Sequence, residues 1–160
     1  MVVWIPEAAD AAEMPGAGLH AIQNGVQLGA SHCWRTDTLL ALNDGKVPAA
    51  SGDESIPRLT FWDHRGTKEW IEAAFGSARP VHAVRVYWFD DEGRGSCRVP
   101  ASARVLVRVG EAWRTVAENL APVKDAWSAA SFAAVDAEAV RVEVQLRPGF
   151  SAGVLEWQIE

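Results

Sequence analysis

The sequence has little of what nucleic-acid-binding, membrane-spanning and disulfide-framed proteins need. Its 15 Lys and Arg face 21 Asp and Glu, for a formal charge of −6, and no basic cluster offsets that balance locally. A surface that tracks phosphates is therefore not expected. No apolar run approaches the roughly 20 residues of a membrane-spanning helix. The opening stretch MVVWIPEAADAAEMPG has neither a charged n-region nor a long apolar h-region, so no signal peptide is read there. Two cysteines, Cys33 and Cys97, are too few for a disulfide framework, and a zinc site needs about four ligands. They read as two buried thiols or as one disulfide. Apart from a possible short helix over Asp37–Leu42, no segment keeps an apolar 3.6-residue period for three turns. Nor is there a G-x-S-x-G, an H-E-x-x-H or a P-loop.

What is present is alternation. VHAVRVYW (Val81–Trp88) sets Val84, Val86 and Trp88 against Arg85 and Tyr87. ARVLVRV (Ala103–Val109) places Val105, Val107 and Val109 together, and AVRVEVQL sets Val140, Val142, Val144 and Leu146 against Arg141, Glu143 and Gln145. Period-2 patterning in β-branched residues marks half-buried strands. Shorter strands are expected at Glu69–Phe75, Trp113–Ala117, Ser131–Ala134 and Val154–Ile159. Trp70, Val84, Val86, Val105, Val107, Val142 and Val144 should face a core, with Arg85, Arg141 and Glu143 outside. The joints NDG (43–45), DEGRG (91–95), VGEAW (109–113) and RPG (147–149) carry turn chemistry. These features predict an all-β antiparallel sandwich or jelly roll. At 160 residues it should be one domain with a full core, residues 19–160, behind a leader at 1–18 that could end a preceding domain.

The order ALNDG, TFWDHRGTKEWIEAAFG, VRVYWFDDEGRGSCRVPASARVLVRVGEAW and VRVEVQLRPGFSAGVLEW resembles discoidin, or coagulation factor 5/8 type C, domains. The likeness spans roughly residues 28–160. It is nearest to the C-terminal module of bacterial β-L-arabinofuranosidase-like glycoside hydrolases. The resemblance implies a galactose-binding-like jelly roll and a non-catalytic carbohydrate-binding module that holds a glycan or polysaccharide for a linked hydrolase. A structural accessory domain that binds no sugar is the alternative. A secreted or periplasmic location would follow if the chain is part of a polysaccharide-degrading enzyme.

Two sites follow from the resemblance. Such domains commonly hold a structural Ca²⁺ between an Asp of an xDG turn and a Glu of the last strand. Asp44 and Glu156 match those positions, and Asn43 can add a carbonyl. Calcium takes six to eight oxygen ligands, which suits two carboxylates and turn carbonyls. The plainer reading is that Asp44 caps its own turn and Glu156 is solvated. For sugar, which needs aromatic faces and planar polar groups, the candidates lie on three loops. They are Trp62, His64 and Arg65; Asp90, Arg94 and Arg98; and Phe150. Phe150 stands where carbohydrate-binding relatives place an aromatic platform, and His64 lies in a loop that often carries a histidine. Each has a bland counterpart: a core Trp, a solvated His, an Arg that ties down its own loop. Galactose-binding relatives carry an Arg and an Asn near WFDDEGRGSC, which this chain does not match, so galactose specificity is not implied. Asp90, Asp91 and Glu92 project in different directions from one turn, whereas glycoside hydrolysis needs two carboxyls about 5–10 Å apart. Catalysis is not expected.

Overall fold

The computed structural model describes residues 18–160, so the leader expected at 1–18 lies, except for Gly18, outside the described residues. The chain is built from strands. A hairpin comes first, β1 (Leu19–Gln23) and β2 (Val26–Ala30), joined by Asn24 and Gly25 at φ 52° and 77°. Positive φ at both turn residues is what a tight two-residue hairpin needs, and Asn-Gly supplies it at little strain. The helix expected at Asp37–Leu42 is a 3-10 turn, Leu39–Asn43, capped by the Thr38 hydroxyl on Leu40 N. Then follow β3 (Leu59–Thr60), β4 (Lys68–Phe89), β5 (Ser102–Val109), β6 (Ala112–Ala117), β7 (Trp127–Gln145) and β8 (Gly153–Ile159).

Two long strands make the sandwich. The first half of β4 pairs with β2 and with the end of β7, and β7 continues to β5 and β6. Register shifts between Ala74 and Arg79, and between Val81 and Ala83, break the ladder. Past them, the second half of β4 pairs with the start of β7 and with β8, which also carries β3. Bulges of this kind bend a strand, and here they let one strand serve two layers. What read as four separate strands (Glu69–Phe75, Val81–Trp88, Ser131–Ala134 and 139–146) is therefore two bent ones. The result is an all-β antiparallel sandwich of jelly-roll type.

The valine stripes meet between the layers. Val84, Val86, Val105, Val107, Val142 and Val144 are all buried in one cluster with Trp88 and Trp157. Arg85, Arg141 and Glu143 lie on the other faces of their strands, as expected. Trp70 does not join the core. It is half-buried on the outer face, and Glu69, Ile71 and Ala73 point inward instead. Inverting that register buries Ile71, and the carboxylate it brings inside is met by three donors. Outside, Trp70 packs on Arg141, whose Cζ lies 4.5 Å from the Trp70 ring centroid and 4.6 Å from that of Trp113. Arg141 is in turn pinned to Glu72 by hydrogen bonds of 3.0 and 2.7 Å. Both cysteines are free thiols, with Cys97 buried and Cys33 half-buried. Burial pushes their pKa values up, to about 12 and about 11, which leaves them unreactive at neutral pH.

Candidate functional site

Three loops converge at one end of the sandwich. Loop 61–66 is tied to the segment before β8 by Phe61 N to Ala152 O (2.9 Å) and Gly66 N to Phe150 O (3.1 Å). Loop 90–98 joins the same segment through Arg98 N to Ser151 O and Ser151 N to Ser96 O, both 3.0 Å. Between them, Trp34 N donates to Thr60 O at 3.0 Å, which places the segment after β2 against β3. A hollow of about 290 Å³ opens there, with Trp34 and Trp62 on its walls and Asp37, Arg58, Thr60 and Asp91 among its polar lining. A second hollow of about 390 Å³ adjoins it and shares Asp37 and Arg58. The polar groups are organised: Asp37 accepts from the Thr60 hydroxyl at 2.5 Å and lies 3.4 Å from Arg58 Nε. Arg58 itself lies over the Phe89 ring at 4.5 Å.

The expected sugar residues distribute unevenly around this hollow. Trp62 lines it, and Arg65 lies over the Trp62 ring at 4.5 Å. Phe150 is close by but outside the lining, half-buried, with Arg98 over its ring at 4.7 Å. Arg98 donates to Gly95 O and Cys97 O at 3.0 and 2.7 Å, so it ties down its own loop. Asp90 is buried, and its carboxylate accepts from Val99 N (3.1 Å) and Glu92 N (3.0 Å) while Lys124 lies 3.3 Å away. Arg94 donates to Gly52 O at 2.6 Å and pairs with Glu54 at 3.3 Å. Asp90, Arg94 and Arg98 thus hold loops together. His64 turns away from the hollow: its Nδ1 lies 2.5 Å from Glu69 Oε1, and its ring stacks on His32 at 3.8 Å. Trp34, Asp37 and Arg58 went unnoticed in the sequence. The signal was faint, an aromatic-basic pair (Trp34-Arg35) in a segment without strand alternation.

The metal candidates do come together. Glu156 is buried, with Oε1 accepting from Trp157 N at 3.1 Å. Its Oε2 makes no well-formed hydrogen bond, although Asp44 and the Gly45 amide lie close enough to act on the carboxyl. Burial pushes the Glu156 pKa up to about 7; the Trp157 amide opposes the rise and the Asp44 charge adds to it. Asp44 Oδ1 also accepts from Lys46 N at 2.9 Å, so it caps its turn as the plainer reading held. Gly45, at φ 74°, gives that turn its sharpness. Asn43 ends the 3-10 turn immediately before it. Among the described residues no group of three or more His, Cys, Asp or Glu gathers around a metal. A cation here would rest on two carboxylates and turn carbonyls, a hard-oxygen set that suits Ca²⁺. The orphaned, buried Oε2 fits that requirement.

No protein-family profile matches the chain, and no curated protein does. Solved structures do. A structure of the Streptococcus pneumoniae β-galactosidase BgaA aligns with a TM-score of 0.69 at 20% identity, over 82% of this chain and 89% of that one. Chitosan-binding module 1, derived from a chitosanase/glucanase of Paenibacillus sp. IK-5, aligns at 0.63 and 20% identity over 85% and 95%. The family 32 carbohydrate-binding module of Clostridium perfringens NanJ, solved with galactose, aligns at 0.62 and 13% identity over 84% and 93%. The fold is galactose-binding-like. At these identities the likeness concerns the fold alone.

Proposed function

We propose that the chain is a non-catalytic carbohydrate-binding module attached to a glycoside hydrolase, with its glycan site in the hollow between Trp34 and Trp62. The observation that carries this is the hollow itself: two tryptophans beside a hydrogen-bonded Asp37–Thr60–Arg58 group, on loops held by a rigid sandwich. Aromatic faces stack on the C–H surfaces of sugars, and a carboxylate and guanidinium can read their hydroxyls. Structures of similar fold include a chitosan-binding module and a module solved with galactose, which supports the sugar class but not the sugar. The acidic run at Asp90–Glu92 supports a binding role over catalysis. Asp90 and Asp91 accept from backbone amides, and Glu92 pairs with Lys124 at 2.8 Å. Asp44 and Glu156 would hold a structural Ca²⁺ that ties the last strand to the turn after the 3-10 helix.

One observation favours the alternative, a structural accessory domain. Arg65 and Arg98 lie over the rings of Trp62 and Phe150, where a sugar would stack. Affinity gels of plant and bacterial polysaccharides separate the readings. Trp62→Ala and Trp34→Ala should each weaken retardation about tenfold, or about 1.4 kcal/mol, with little change in melting temperature. Phe150→Ala should have a smaller effect. A wild-type protein that no polysaccharide retards would leave the accessory role standing.

A further inference from the structure

We propose that the molecule carries a second saccharide site, back to back with the first. A cavity of about 690 Å³ lies between loop 61–67, the starts of β4 and β5, and the end of β7. It is larger than the Trp34–Trp62 hollow and shares no lining residue with it. One loop divides the two, with Trp62 on the wall of the hollow and His64 on the wall of the cavity. Its volume falls within the roughly 300–1,000 Å³ of small-molecule sites.

The walls are preorganised. Glu69, 4% exposed, accepts from Thr67 Oγ1 at 2.7 Å and from the Ser31 hydroxyl, and it fixes His64. His64 stacks on His32 at an interplanar angle of 12°, and His32 Nε2 lies 2.6 Å from Trp62 O. Trp70 also lines the cavity, braced from outside by Arg141. Flat rings held in place offer stacking surfaces at little entropic cost.

Charge selects the ligand class. Of the charged side chains on the wall, Glu69 is committed to its three donors and Arg104 to Glu143, through hydrogen bonds of 2.9 and 2.7 Å. That leaves Lys68 and Glu118, one charge of each sign, beside the buried charge of Glu69, so the wall carries two positive against three negative side chains. A lining so charged gives no net attraction to a phosphate or a uronate, and its single excess charge is buried behind hydroxyl donors. It suits a neutral polyhydroxyl ligand that stacks on rings and bonds to scattered polar groups: a neutral di- or oligosaccharide.

Nitrogen-15 NMR titration of the chain with lactose, cellobiose and xylobiose tests this, with chitosan disaccharide and digalacturonate as the charged comparisons. A neutral disaccharide at millimolar concentration should shift the Trp70 indole and the Glu118 and Gln145 amides saturably. Ser102→Trp puts bulk at the cavity's lip and should weaken binding there at least about tenfold. Shifts at Trp34 and Trp62, where present, should survive that change. Glu118→Trp, at another exposed position of the lining, repeats the test should Ser102→Trp fold poorly. Three results each overturn the proposal: no saturable shift in this set with any of the neutral sugars, shifts from the charged sugars alone, or shifts that both variants leave intact. The two sites fail separately. Shifts confined to the cavity set would uphold this site and count against the Trp34–Trp62 hollow, and the reverse would do the opposite.

Discussion

Two glutamates, Glu69 at the start of β4 and Glu156 in β8, are buried to nearly the same degree, at 4% and 2% exposure. Their surroundings differ sharply. Both oxygens of Glu69 are taken, by His64 Nδ1, the Thr67 hydroxyl and the Ser31 hydroxyl. Glu156 has one amide on Oε1 and an orphaned Oε2 with a second carboxylate, Asp44, nearby. A buried carboxylate is costly unless donors or a cation compensate it. The first glutamate has its compensation built from the chain; the second lacks it, and that shortfall is what makes a cation site plausible chemistry there. Burial alone therefore does not distinguish a structural carboxylate from a ligand. The inventory of donors does.

The largest effect should come from breaking the satisfied site. Glu69→Ala strands the Ser31 and Thr67 hydroxyls and releases His64, and it should cost about 4 kcal/mol in chemical denaturation. A loss below about 1 kcal/mol would mean that the three donors find water as easily, and the contrast between the two glutamates would collapse. Glu156→Gln without calcium should go the other way above neutral pH, because it removes an uncompensated charge.

The next effect, about 3 kcal/mol, is a titration. Glu156 has its folded pKa raised from 4.5 to about 7. A carboxyl of raised pKa binds its proton more tightly folded than unfolded, so its contribution is full below pH 4.5. That contribution is lost as pH climbs through 7. In chelator, the wild type should therefore lose stability across this window relative to Glu156→Gln. Calcium should reverse the trend, because it favours the ionised pair, by about 2.7 kcal/mol at a hundredfold excess over the dissociation constant. Asp44→Asn should flatten the calcium dependence as Glu156→Gln does, and the double variant should add little. Melting curves with chelator and with Ca²⁺ that coincide at every pH would remove the metal from the molecule's chemistry.

The same contrast shows where the sequence could be read and where it could not. Val84, Val86, Val105, Val107, Val142 and Val144 alternate in strands with both neighbours paired, so pattern and burial agree. Asp44 and Glu156 were paired through the resemblance to discoidin domains, which sets an Asp of an xDG turn against a Glu of the last strand. At Glu69–Phe75 the strand was legible and its inward face was not. KEWIEAAF alternates either way, and the larger apolar residue, Trp70, suggested the wrong face. The face is decided by Ser31, Thr67 and His64, from three separate places in the chain, which make Glu69 tolerable inside. The β1–β2 hairpin went unread although Asn24-Gly25 announced it, since its strands are short and Ile22 faces solvent at 77% exposure. The hollow was half legible. Trp62 stood out in its loop, but Trp34, Asp37 and Arg58 meet it only through the pairing of β3 with β8 and the Trp34–Thr60 hydrogen bond.

The smallest change sharpens the comparison most, because it turns one glutamate into a likeness of the other. Ser31 Oγ donates to Glu69 Oε2 and accepts from Trp70 N at 3.0 Å. Ser31→Ala removes both, while His64 and Thr67 stay on Oε1. Glu69 then has one satisfied oxygen and one orphaned oxygen, the state of Glu156. A single hydrogen bond to a charged group contributes about 1.5 kcal/mol, and the chain should melt about 3–6 °C lower. Unlike Glu156, Glu69 has no second carboxylate on the hydrogen bonds that surround it, so added Ca²⁺ should not restore what Ser31→Ala loses. Thermal melts of this variant with and without Ca²⁺ decide it. A full rescue by calcium would show that an orphaned oxygen suffices to recruit the ion, and the pairing of Asp44 with Glu156 would lose its special standing.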